Sequence, residues 1–255
     1  MERGSVQRDS LRFVSYNIHS CRSSRMVPSL EDIVKVIDDT QADLIALQEV
    51  DVNCPRTDRI NQVEELGRRL GMTPHFFSLV DWAQFQHPRE NEGLYGLGFL
   101  SRMNLRLLNF AHIHLPLMSP LSEPRGVFQL QIDWQGKPLS ILNTHLSVQR
   151  RENLLQIEAV RELVQQVCSE QGECILMGDF NSRGRTRAMQ RLRSVMQECV
   201  PTGSPRFTFP SRFPMLQLDR IFTSGGLASY PSRVLASPIA RKASDHLPIQ
   251  VELKF

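Results

Sequence analysis

Residues 43–50 read Asp43-Leu44-Ile45-Ala46-Leu47-Gln48-Glu49-Val50. Apolar side chains fill both parities of this stretch, so it is not a strand with one wet face. It reads as a strand buried on both sides, the kind found in sheets covered by helices. Glu49 stands at its carboxyl end, where a carboxylate is costly unless it is paired or bound to a cation. Upstream, Leu11, Phe13, Val14, Tyr16 and Ile18 make a β-like run that ends in polar Asn17 and His19. Between the two runs, Ser29 can cap a helix whose Leu30, Ile33, Val34 and Ile37 fall at i, i+3, i+4 and i+7.

Downstream the alternation continues. A helix over about 63–70 is closed by Gly71, and strands follow at 97–101, 105–113, 127–134 and 139–145. Gln135-Gly136 makes the last two a hairpin. The longest helix spans about 152–168, with Leu154, Ile157, Val160, Leu163, Val164 and Val167 on one side. A short strand at 174–177 runs into Gly178-Asp179-Phe180-Asn181. A helix over 186–199, a strand at 218–222 and a final alternating strand around Ile249, Val251 and Leu253 complete the chain. Strands and helices are mixed throughout, which argues for an α/β fold with helices covering sheet faces.

Composition bounds what such a fold can be. With 255 residues, 41% hydrophobic and 22% charged, collagen-like, mucin-like and wholly disordered readings are excluded. The expectation is one domain over 10–255 behind a flexible N-terminal tail of nine residues, acting as a monomer. A formal net charge of +3 neither predicts nor forbids nucleic-acid binding. No run approaches the roughly 20 apolar residues of a membrane span, and the first ten residues hold no secretory apolar segment. Five cysteines without a Cys-x-x-Cys pair suit buried thiols in a reducing, cytoplasmic setting.

Short polar groups recur where the apolar runs stop. They are Asn17 and His19, Glu49, Asn143 and His145, Asp179 and Asn181, Asp219, and Asp245-His246. Strand ends in helix-covered sheets are where ligands collect, because side chains there are fixed by the core yet open to solvent. The set offers oxygens and three histidines but no thiol, which suits Mg²⁺ or Mn²⁺ better than zinc. Paired Asp and His groups can orient and deprotonate a water. Together they suggest hydrolysis of a phosphate ester by an in-line water. No Gly-x-Ser-x-Gly or Walker-type motif offers a competing chemistry.

The ordered series Tyr16-Asn17-Ile18-His19, Leu47-Gln48-Glu49-Val50, Asn143-Thr144-His145-Leu146, Gly178-Asp179-Phe180-Asn181, Leu218-Asp219-Arg220-Ile221-Phe222 and Ser244-Asp245-His246-Leu247-Pro248 resembles the endonuclease/exonuclease/phosphatase superfamily. That resemblance implies a four-layer α/β sandwich, two packed mixed sheets flanked by helices, with one site between them. It implies Glu49 as the main metal ligand, Asn17 near the same ion or the phosphate, and Asp245 assisting the metal region. Asp179 would align the attacking water and Asn181 would contact a phosphate oxygen. His246 would be the general base held by Asp219, and His145 would bond the phosphoryl oxygens or the leaving group. Tyr95 would touch the phosphate. Arg125, His19 and Asn143 complete the expected substrate-binding set. Relatives often carry Glu directly before the Tyr-Gly pair; here that position is Leu94, and Glu92 is the candidate replacement.

The activity implied is a Mg²⁺- or Mn²⁺-dependent phosphodiesterase acting on a phospholipid, a small phosphodiester or a nucleic acid, so a lipid surface and DNA or RNA are the candidate partners. A nuclease is the nearest rival. A binding module that merely keeps the fold is the alternative from another class, but a scaffold has no need for Asp219, Asp245 and His246 together. Arg183, Arg185, Arg187, Arg191 and Arg193 follow the Gly-Asp-Phe-Asn strand end as either a phosphate contact or a solvated helix face. The loop at 81–92, with Trp82, Phe85 and His87, reads as an ordinary surface loop, with a substrate- or membrane-facing lip as the alternative, and His75, His112 and His114 as structural or solvated.

Overall fold

The computed structural model describes residues 10–85, 91–183, 185–227 and 231–254. The nine-residue tail and His87 lie outside them. The strands are β1 (Ser10–Asn17), β2 (Leu44–Val52), β3 (Met72–Asp81), β4 (Leu94–Arg102), β5 (Arg106–His114), β6 (Gly126–Trp134), β7 (Lys137–His145), β8 (Cys174–Asp179), β9 (Gln197–Glu198), β10 (Asp219–Thr223), β11 (Arg233–Val234) and β12 (Ile249–Lys254). The helices are α1 (Leu30–Thr40), α2 (Gln62–Leu70), α3 (Arg150–Gln171), α4 (Arg187–Arg193) and α5 (Ala240–Ala243).

Two six-stranded mixed sheets result, ordered β11-β12-β1-β2-β4-β3 and β5-β6-β7-β8-β10-β9. Each contains a parallel pair, β1 with β2 and β7 with β8. Parallel neighbours need a crossover, and α1 and α3 supply the two crossovers. The core divides accordingly. Phe13, Leu97, Phe99, Phe128, Ile141 and Met177 pack between the sheets. Ile33, Ile37, Val63 and Leu66 seal α1 and α2 onto the first sheet, and Ile157, Val160, Val164 and Met189 seal α3 and α4 onto the second. The four-layer sandwich expected from the sequence is the observed fold.

The differences are local. The helix expected over 186–199 stops at Arg193, because Gln197 and Glu198 leave it to pair with Thr223 and Phe222 of β10. Strand β3 was not expected, since Pro74 interrupts its run; it lies at a sheet edge, where a missing N–H is tolerated. Among the described residues no helix is long and apolar enough to cross a membrane. Four of the five cysteines are buried and Cys168 is half-buried.

Candidate active site

The strand registers bring the predicted polar residues to one end of the sandwich. Asn17 is level with Gln48, the neighbour of Glu49, and Tyr95 pairs with Asp51. In the second sheet Asp179 lies between His145 and Asp219. A cavity of about 540 Å³ opens there, lined by Glu49, Tyr95, Arg125, His145, Asp179, Asn181, Asp245, His246 and His19, among others.

Local backbone explains why these side chains face inward. The pairing of β2 with β4 slips between Leu47 and Val50, a bulge that turns Glu49 out of the strand's alternation with φ +57°. Asn181, just past β8, has φ +45°, and its N–H donates to Asp179 Oδ1 at 2.9 Å. Asn17 lies buried beneath the cavity. Its Nδ2 donates to Glu49 Oε1 at 2.8 Å and to Asp179 Oδ2 at 3.1 Å, while its oxygen accepts the His19 N–H at 3.0 Å. Asn17 therefore fixes two carboxylates from below.

His246 Nδ1 lies 2.8 Å from Asp219 Oδ2, and its Nε2 lies 3.7 Å from Asp179 Oδ2. Phe209 packs on the imidazole, with ring centroids 4.9 Å apart. Burial disfavours the imidazolium, but the Asp219 and Asp179 carboxylates outweigh it and raise the His246 pKa to about 10. Burial also raises Asp179 above the usual carboxylate range, against the opposing charge of His246. His145 moves the other way: burial, then the charges of Arg125 and His246, push it well below its ordinary value. The two histidines thus hold their protons very differently.

Ligand atoms of Asp179, Asp219 and His246 lie within 4.8 Å of one another, and Asp219 Oδ1 is buried without a partner among the described residues. Glu49 and Asp245 add oxygens to the same cavity. A site rich in carboxylate oxygens and free of thiols fits a hard divalent cation.

Three expectations need correction. Asn143 does not line the cavity: it is wholly buried, accepting from Gln48 Nε2 at 2.7 Å and donating to the Leu47 and Gly98 carbonyls at 2.9 and 3.0 Å. Glu92 does not support His145 but pairs with Arg59 at the surface. Arg125 holds that place, with Nη1 2.9 Å from His145 Nδ1 and 3.0 Å from Glu123 Oε1. Trp82, read as part of a surface loop, is buried and forms the cavity wall beside Tyr95 and Arg56. Arg56 lies over both rings, 5.4 and 5.6 Å from their centroids, and is held by Asp51 at 2.7 Å. Nothing in its sequence neighbourhood marked Arg56; a lone arginine after a proline carries no periodic signal. None of the five arginines at 183–193 lines the cavity. Arg187 and Arg191 line a separate groove between α3 and α4, where Arg191 meets Glu158 at 2.9 Å.

A profile of the Endonuclease/Exonuclease/phosphatase family matches residues 14–246. The chain is 28% identical to the uncharacterized protein YbhP of Escherichia coli strain K12, over 97% of this chain and 98% of that one. Its fold is similar to that of mannosyl-6-phosphatase Bt3783 from Bacteroides thetaiotaomicron VPI-5482, with a TM-score of 0.76, 18% identity, and 96% and 100% of the two chains covered. The human Nocturnin catalytic domain with bound sulfate gives a TM-score of 0.73 at 20% identity, covering 97% of this chain and 95% of that one.

Proposed function

The chain belongs to the endonuclease/exonuclease/phosphatase family, whose members hydrolyse phosphoester bonds, and on that premise we propose that it is a divalent-metal-dependent phosphodiesterase of compact phosphate esters. One observation carries the reading. His246, locked to Asp219 at 2.8 Å, turns its other ring nitrogen toward Asp179 inside a cavity that also receives Glu49, Asn181 and His145.

Each residue has a task in that reaction. Asp179 orients a water, whose oxygen attacks phosphorus in line with the departing ester oxygen. The water proton passes to His246 Nε2, and Asp219 fixes which nitrogen is free to accept it. The phosphorus–oxygen bond to the alcohol breaks as the new one forms, and the departing alkoxide takes a proton from solvent water. Asn181 and His145 bond the phosphoryl oxygens, and Tyr95 and Arg125 line the same cavity. His19, with Nδ1 3.0 Å from the Arg22 carbonyl and 3.7 Å from Asp245 Oδ1, lines the same cavity. Glu49 and Asp245 would hold the metal, with Asn17 keeping Glu49 in place. A bound Mg²⁺ or Mn²⁺ would polarise the ester and offset the carboxylate charge that keeps His246 protonated.

A cavity of about 540 Å³ walled by Trp82, Tyr95 and Arg56 favours a compact headgroup. The cations that line it are Arg22, Arg56 and Arg125, while the five arginines at 183–193, the run that could track a polymer backbone, lie outside it. The test is hydrolysis of bis-p-nitrophenyl phosphate with and without Mg²⁺ or Mn²⁺. His246→Ala is expected to lower kcat by about 10²–10⁴-fold, the range for a general base. Metal-independent turnover, or full activity in the variant, refutes the mechanism. Extending the assay to phosphomonoesters, phospholipids and nucleic acids reads the substrate, and a nuclease would show binding that weakens steeply with salt.

A further inference from the structure

The state of His145 is decided by what faces its two ring nitrogens. Nδ1 lies 2.9 Å from Nη1 of Arg125. A guanidinium has only donors, so Nδ1 must carry a lone pair and the ring proton sits on Nε2. Arg125 has no room to turn aside: it is 8% exposed, and the same Nη1 is tied to Glu123 Oε1 at 3.0 Å. Nε2 looks into the cavity, 3.6 Å from Asp179 Oδ2 and 4.0 Å from Glu49 Oε1. On its flank stands Asn181 Nδ2 at 3.2 Å, an amide that also donates to the Leu146 carbonyl at 3.0 Å.

With Nε2 protonated, His145 and Asn181 are two donors turned toward each other. Such a contact is unfavourable until an acceptor joins it, and an anionic oxygen bonded by both relieves it. A carboxylate opposite Nδ1 would do the reverse. It would hold the proton on Nδ1 and leave Nε2 as an acceptor, or stabilise a charged ring able to give its proton away. The arginine opposite Nδ1 removes both options.

We propose that Arg125 is a positioning residue: it fixes His145 as the neutral Nε2–H tautomer, so that His145 and Asn181 donate jointly to one phosphoryl oxygen and His145 takes no part in proton transfer. The identity of the anion rests on the phosphoesterase reading; the tautomer does not.

The tautomer is read directly from the ring nitrogens of the ¹⁵N-labelled full-length protein without substrate, with His145 assigned by the signal lost in His145→Gln. The expected result is an unprotonated Nδ1 and a protonated Nε2. Arg125→Met should lose this single-tautomer signature. Its kcat should fall about 10²-fold, the scale of one oxyanion donor, with KM changed less than about threefold. Arg125→Lys, which keeps a cationic donor, should retain the signature and recover most of the rate. A protonated Nδ1 in the unsubstituted protein overturns the proposal, as does an unchanged His145 signature in an inactive Arg125→Met. If Arg125→Met fails to fold, the spectrum of the unsubstituted protein still decides. A protein without phosphoesterase activity but with the expected tautomer would sink the functional reading and leave the positioning intact.

Discussion

Glu49 adopts a backbone conformation that a glutamate disfavours, φ +57°, at the bulge that aims it into the cavity. A non-glycine residue there costs about 1–2 kcal/mol, and strain of this kind gathers where a side chain must point against its strand. Glu49→Gly removes that strain and also a carboxylate that shares the Asn17 amide with Asp179. Its unfolding midpoint in denaturant should stay level or rise by up to about 1 kcal/mol, less than the full strain because glycine also loosens the unfolded chain. Hydrolysis of a phosphodiester should fall by about 10²-fold or more, as expected when an electrostatic anchor of the transition state is lost. A clear loss of stability would mean the bulge is set by the glutamate's own contacts. The residue scale is also where sequence reading did best and worst. Carboxylates inside apolar runs were legible because burying charge is costly, so Glu49, Asp179 and Asp219 advertised themselves. Asn143 gave the same signal for another reason: a buried amide joining two sheets also ends an apolar run. Arg56 gave none, because its position depends on the path of a loop.

At the scale of elements, hydrophobic periodicity located α1, α2, α3 and most strands, since each buries one face against a sheet. It failed where tertiary pairing overrides pattern, at the shortened α4 and at the proline-bearing edge strand β3. The parallel pair of β7 and β8 is the element on which the site depends most, because its ends carry His145 and Asp179 side by side. Gly178 lets the two strands approach. Its φ is +149°, and a Cβ built there would lie 1.9 Å from the Thr144 carbonyl oxygen. That contact is with backbone, so no rotamer change relieves it. Gly178→Ala should cost more than about 4 kcal/mol, the range reserved for overpacking and special backbone conformations. The cost is read as a lowered denaturant midpoint, with activity lost in whatever fraction remains folded. A shift under 1 kcal/mol would show that β8 can slide along β7 without harm.

At the scale of the whole molecule, the cavity exists only where the two sheets meet. The first sheet and its flanking loops bring Asn17, Glu49, Tyr95 and the Asp245-His246 pair; the second brings His145, Asp179, Asn181 and Asp219. Apolar packing between sheets is non-directional and would tolerate a small slide, which would separate the halves of the site. The Gln48–Asn143 bond at 2.7 Å supplies direction, since it joins β2 to β7 next to Glu49 and two residues before His145. Asn143 further binds the Leu47 and Gly98 carbonyls, and Gln48 reaches Ser15 Oγ at 3.2 Å. Removing one partner leaves buried polar groups unsatisfied, so Asn143→Leu and Gln48→Leu should each cost about 2–3 kcal/mol. The double substitution should cost clearly less than the two together, because no orphaned amide then remains; the coupling expected for direct partners is about 0.5–3 kcal/mol. Activity should behave differently. Each single change and the double should lower kcat, since apolar replacements restore stability without restoring the register that sets Glu49 against His145 and Asp179. Additive stabilities, or a double variant with full activity, would show instead that apolar contact alone seats the sheets, and that the buried amides contribute nothing to alignment.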